Sequence, residues 1–105
     1  MHIEVSTDKN IDGSEGRTTY FKEVVQHALN HFDSQVTRVE VHLSDVNAGK
    51  SGPDDKHCMI EARLEGRQPT AVNHTAATLE QAVKGAADKM KNSLESTLGR
   101  LHDDH

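Results

Sequence analysis

The end of the chain carries the pattern that most restricts what it can fold into. From Thr78 onward, Leu79, Val83, Ala86, Met90, Leu94, Leu98 and Leu101 fall within one arc when each residue is advanced by about 100°, the signature of a long amphipathic helix. Such a helix cannot hide its stripe alone, so the rest of the chain must supply a surface to cover it. Thr78 stands at the N-cap position, with Gln81 three residues on in the place of a capping-box partner.

That surface is written upstream. His2-Ile3-Glu4-Val5-Ser6 alternates polar and apolar, and Asp8 to Gly16, with two Gly, three acids and Asn10, reads as a loop. Phe21, Val24, Val25, Ala28, Leu29 and Phe32 recur at helical spacing, giving a first helix from about Arg17 to Phe32, ended by Asp33 and Ser34. Val39, Val41 and Leu43 then alternate with Arg38, Glu40 and His42, as in a strand with one buried face. Residues 45–56, rich in Gly, Pro, Asn and Ser, read as a flexible loop. Cys58, Ile60, Ala62 and Leu64 point one way and His57, Met59, Glu61, Arg63 and Glu65 the other; Gly66 to Pro69 offers a tight return into a last strand over Thr70–Thr75.

The order is β-α-β-β-β-α. It predicts an α+β fold, a single two-layer domain over residues 1–105, with a four-stranded sheet carrying both helices on one face. The other face, with Glu4, Arg38, Glu40, Glu61 and Arg63, is expected to be wet.

Chemistry is sparse along this frame. A single cysteine, Cys58, shares the phase of Ile60, Ala62 and Leu64 and reads as a small core residue, not a nucleophile. It forms no internal disulfide, which fits a reducing compartment. His27 and His31 lie four apart on the first helix, but no acidic third ligand accompanies them and no metal site is assigned. No phosphate-cradling glycine loop, Ser-His-Asp arrangement or paired carboxylate emerges, so neither enzyme activity nor a cofactor is expected. No apolar run approaches the roughly 20 residues of a membrane span, and Met1–Ser6 lacks the pattern of a signal peptide, so the chain reads as soluble and unexported.

Charge is unevenly placed. The net charge of −5 argues against a general nucleic-acid binder. Residues 1–77 hold 8 basic and 12 acidic residues, whereas Thr78–His102 holds 4 and 3, so the last helix is +1 on an acidic chain. On that helix Lys84 lies between Glu80 and Asp88, and Lys91 faces Glu95 at i+4, pairs that neutralise these lysines locally. Lys89 and Arg100 project near one edge of the apolar arc with Ser93 and Ser96 and have no facing acid, which marks them as donors for phosphate or carbonyl oxygens. On residue pattern alone a solvated shoulder with snorkelling stems is the better account of them.

The element order, read with His31-Phe32-Asp33, Val39-Glu40-Val41-His42-Leu43-Ser44, Ala82-Val83, Asp88-Lys89-Met90 and Leu94, resembles the short ribosome hibernation factors, the family of hibernation promoting factor and ribosome-associated inhibitor A. The resemblance covers nearly the whole chain. It implies a cytoplasmic, non-enzymatic protein that binds the small ribosomal subunit in the channel for messenger and transfer RNA during stress or stationary phase. It also implies the short class, without the C-terminal dimerisation domain of long members. By position, Lys89 matches a basic residue the family places on this helix, which implies contact with ribosomal RNA. Around it the same reading adds Lys91, Asn92 and Arg100 on the last helix and Arg17, Lys22, His27 and His31 on the first; the histidines add charge when protonated. His27, Asn30 and Asn92 stand where relatives tend to carry Lys or Arg, and Thr78-Leu79-Glu80 replaces an acidic-Met-Tyr segment. No DNA or membrane partner is expected, and the oligomeric state is left open. The rival expectation is a non-enzymatic protein-binding domain of the same fold that no longer binds ribosomes, pairing through its wet sheet face or a strand edge.

Overall fold

Two periodicities, two residues in the middle of the chain and 3.6 in the flanking segments, build two layers. The computed structural model describes residues 1–8, 14–45 and 56–103, with side chains described as far as Leu98. Its elements are β1 (His2–Thr7), α1 (Glu15–Leu29), a 3-10 turn (Asn30–Phe32), β2 (Val36–Asp45), β3 (Lys56–Leu64), β4 (Thr70–Ala76) and α2 (Leu79–Asp103). The sheet order is β1-β2-β3-β4, with β1 parallel to β2 and the other neighbours antiparallel. The expected α+β architecture is the one observed. Of the loop expected over residues 45–56, Asp45 is the last residue of β2 and Lys56 the first of β3, and residues 46–55 lie outside the described residues.

The core forms where the buried phases meet. Ile3 of β1, Val39, Val41 and Leu43 of β2, and Cys58, Ile60, Ala62 and Leu64 of β3 face Phe21, Val25 and Leu29 of α1 and the stripe from Ala82 to Leu98 of α2. The three alanines at 82, 86 and 87, all buried, keep α2 low on the sheet. Thr78 caps α2 as expected, its hydroxyl accepting the Gln81 N–H at 3.1 Å. The chain turns from β3 to β4 through Gly66, whose φ of 74° sits at the third position of a turn closed by Arg67 N–H to the Leu64 carbonyl at 3.2 Å. Only glycine takes that conformation without cost.

Two boundaries depart from the pattern. The first helix begins at Glu15 and becomes a 3-10 turn at Asn30, earlier than the reading to Phe32. The tighter turn still delivers the Phe32 ring to the core, and the Gln35 N–H closes back on the Phe32 carbonyl at 3.0 Å. The second strand begins at Val36, out of phase with Val39, and is nonetheless buried there. Between Val36↔Leu64 and Arg38↔Arg63 the register shifts by one residue, so Thr37 is the extra residue of a bulge and its hydroxyl donates to the Arg63 carbonyl at 3.2 Å. The bulge resets the alternation and returns Val36 to the core face.

Candidate functional site

The residues singled out from sequence spread over the helical layer and do not form one strip. Lys89 reaches the edge of the sheet, its Nζ donating to the Asn73 carbonyl of β4 at 2.7 Å. One turn earlier on the same side of α2, Gly85 makes room for the His74 ring: a Cβ there would run into Cδ2, Nε2 and Cγ of that ring. Lys91 stands about 200° further round the helix from Lys89. Its stripe is shared with Lys84, seven residues earlier, which looks toward α1. Glu80, 2.9 Å away, and then Tyr20 of α1 raise the Lys84 pKa above its ordinary value. The Lys84–Glu80 pair is therefore present as expected. Lys91 makes no ion pair within 4 Å among the described residues, so the expected Glu95 partner is not engaged. The i+4 spacing allows that contact without compelling it, because both exposed side chains stay better hydrated apart.

Asn92 points away from both shoulders, exposed on the outer side of α2. Arg100 lies on α2 beyond Leu98, so its side chain is outside the described residues. On α1, Lys22 and His27 border an open groove with Ile3, Glu23, Gln26 and Asn30, on the side of β1. His31 is exposed and sets its ring edge-on to Phe32, with centroids 5.4 Å apart. Arg17 lies elsewhere again, in a cleft with Tyr20, Lys56, Thr78, Leu79 and Glu80 where α1 and α2 both begin. The helical layer thus presents four separate basic positions, the β4 sheet edge, an interhelical shoulder, the groove beside β1 and a cleft, and not one cationic face. Its described side chains include five Lys or Arg (17, 22, 84, 89 and 91) and five Asp or Glu (15, 23, 80, 88 and 95).

Sequence reasoning missed Tyr20. Its ring is 41% exposed, the one large apolar side chain so exposed among the described residues, and its neighbour Phe21 is buried. The signal was available, since a tyrosine three residues from Arg17 falls outside the arc of Phe21, Val25 and Leu29. The Cys58 reading holds: the side chain is fully buried and burial pushes its thiol up to about 12.

The uncovered sheet face has an order of its own. Register places Glu4 beside Glu40 and Glu40 beside Glu61, one row of three carboxylates across β1, β2 and β3. The next row sets His2 beside Arg38 and Arg38 beside Arg63. Like charges directly opposite repel, and the adjacent row offsets this. Arg38 reaches Glu4 at 2.9 Å and Glu40 at 3.6 Å, and Arg63 lies 3.9 Å from Glu61. The His2 hydrogen bond at 3.2 Å, followed by Arg38, holds the Glu4 carboxyl below its ordinary value. Further along, Ser44, His57 and Asn73 form a polar chain over β2, β3 and β4, with His57 3.4 Å from the Ser44 hydroxyl and 3.0 Å from Asn73 Oδ1. Asn73 therefore joins this face to the helical layer: its side chain meets His57 and its carbonyl meets Lys89.

Comparison with known proteins fits this architecture. The crystal structure of the N-terminal domain of Protein Y from Thermus thermophilus superposes with a TM-score of 0.71 at 20% identity, covering 92% of this chain and 99% of that one. A ribosomal subunit interface protein from Coxiella burnetii superposes with a TM-score of 0.69 at 13% identity, covering 94% and 99%. At such identities the likeness is one of fold. None of the curated proteins compared with the chain matches it at the sequence level. The sequence model of the family described as Sigma 54 modulation protein / S30EA ribosomal protein matches residues 3–102, nearly the whole two-layer domain, and the chain belongs to that family, the one to which the hibernation promoting factors belong.

Proposed function

We propose that the protein is a ribosome-associated translation inhibitor. It binds the small subunit in the channel for messenger and transfer RNA and holds idle ribosomes under stress or in stationary phase, in the cytoplasm and without catalysing a reaction. The observation that carries this reading is the family match over residues 3–102. The description of the Coxiella burnetii structure as a ribosomal subunit interface protein agrees with it. No helix among the described residues is long and apolar enough to cross a membrane.

The mechanism is steric. A two-layer wedge with a rigid core fills a channel and excludes the ligands that use it, while side chains on the helical layer touch RNA backbone. Lys91, Lys22 and Arg17 are the cations best placed for this, since none is in an ion pair within 4 Å among the described residues. Lys89 adds its charge from the sheet edge. Cosedimentation with small subunits at moderate salt tests the proposal: binding is expected at pH 6.5 and 7.5, and its absence at both sinks the reading.

The balanced charge of the helical layer and the ordered rows on the open sheet favour one alternative, a protein-binding domain of the same fold that pairs through that sheet. Lys91→Glu separates the two. It weakens ribosome association under the first reading and leaves a sheet-mediated contact untouched under the second. Lys91 is the better position for this than Lys89, because the Lys89 ammonium is already hydrogen-bonded to the Asn73 carbonyl.

A further inference from the structure

We infer that the cleft where α1 and α2 begin takes an unstacked base of single-stranded RNA, with the Tyr20 ring as its stacking platform and Arg17 on a flanking phosphate. The cleft measures about 480 Å³, within the range that small-ligand sites occupy. Tyr20 stands 41% exposed while Phe21 beside it is 4% exposed, so one ring of the pair is packed into the core and the other faces the cleft. The two rings touch with centroids 5.5 Å apart and planes inclined at 52°, so Phe21 steadies the inner edge of Tyr20 and leaves the outer ring open.

The surroundings select the ligand class. Arg17 precedes Tyr20 by three residues and so lies beside it on the helix surface. The Lys84 ammonium is close enough for Tyr20 to act on its charge. Lys56 lines the cleft as well. Two of the other charges are already committed, Glu80 to Lys84 at 2.9 Å and Asp45 to Lys56 at 3.1 Å. Arg17 has no ion pair within 4 Å among the described residues and is the group left to meet an incoming anion. An exposed aromatic ring flanked by cations is the combination that holds single strands, with stacking on a base and charge on the backbone, and it tolerates any sequence because every base has a π-face. A protein surface docking through Tyr20 does not call for the flanking cations.

The inference deepens the ribosomal reading and rests on it for the source of the RNA, so the test has two arms. The chain has one tyrosine and no tryptophan, so its ultraviolet emission reports Tyr20 alone. Titrating the full chain with a short oligouridylate is expected to quench that emission saturably, and an absence of quenching overturns the proposal. In small-subunit cosedimentation, Tyr20→Phe is expected to bind like the unmodified chain and Tyr20→Ala about tenfold or more weakly. If Tyr20→Ala binds as well as the unmodified chain, the cleft assignment fails and the proposed function stands. If the unmodified chain fails to bind subunits while oligouridylate still quenches, the proposed function fails and the cleft stands. Weakening by Tyr20→Ala without any quenching identifies a protein contact and overturns the RNA assignment.

Discussion

Lys89 donates to the main-chain carbonyl of Asn73 at 2.7 Å, closing an edge carbonyl of β4 with a side chain from the helix above it. Edge carbonyls are normally left to water or to another chain. Lys89 is exposed, so exchanging its bond for water costs little. Lys89→Met keeps the stem and removes the donor, and is expected to lower stability by less than about 1 kcal/mol, read as a small shift in the urea midpoint. A loss of more than about 2 kcal/mol would mean that the β4 edge depends on this bond.

Gly85 gives a sharper test of the same seam. In an exposed helix interior Gly→Ala stabilises by about 1 kcal/mol. At Gly85 the added Cβ meets the His74 ring, which has to move, so Gly85→Ala is expected to be destabilising by about 1 kcal/mol. On a His74→Ala background the same change should become stabilising by about that amount. The two sites are in contact, and the double-mutant cycle should return a coupling of about 1 to 3 kcal/mol. Additive behaviour would show that the ring does not occupy the space above Gly85.

Much of this fold was legible because its signals are local. The two periodicities gave all six main elements and the buried phase of Cys58, and the spacing of Thr78 and Gln81 gave the cap of α2. What escaped depends on register between distant segments. The bulge at Thr37, which restores Val36 to the core, cannot be read from β2 alone. The row of Glu4, Glu40 and Glu61 exists only once three strands are aligned, and the Lys89–Asn73 bond only once α2 is laid along β4. The separation of Lys89 from Lys91 is different: residues two apart on a helix face nearly opposite ways, so grouping them in one contact surface overlooked a rule visible in the sequence.

The glutamate row makes a prediction about pH. The His2 and Arg38 contacts lower the Glu4 pKa from 4.5, so their contribution is fully present above that value and is lost as pH falls through the lower folded value. Removing Arg38 leaves Glu4 and Glu40 side by side without the cation that bridges them. Arg38→Gln is expected to lower the urea midpoint at pH 7 and to lower it progressively less below pH 4.5, where protonated carboxyls no longer repel. A midpoint difference that stays constant from pH 7 to pH 3 would show that the row carries no net repulsion.

Cys58 provides a probe of the core. Burial raises its thiol from 9.0 to about 12, so little thiolate forms in the folded chain at pH 8, and the side chain is fully buried. A disulfide reagent at pH 8 is expected to react only as fast as the domain unfolds, and immediately in denaturant. Above pH 9 the unfolded thiol ionises while the folded one does not, so stability should decline as pH rises past that point. Rapid labelling under native conditions would contradict the packing of Cys58 beneath α2.

Salt dependence can apportion the cations of α2. Each phosphate contact made by a lysine releases counterions and adds about 0.7 to 0.9 to the slope of log K against log salt. Lys91 has no ion pair within 4 Å among the described residues, whereas Lys84 is held by Glu80 at 2.9 Å. Lys91→Gln is therefore expected to weaken small-subunit binding and flatten the salt slope by about 0.7 to 0.9. Lys84→Gln should leave the slope nearly unchanged, because binding RNA through Lys84 would first require breaking the Glu80 pair. Equal slopes for the unmodified chain and Lys91→Gln would place the interhelical shoulder outside the RNA contact and leave the sheet edge, the groove beside β1 and the Tyr20 cleft to carry it.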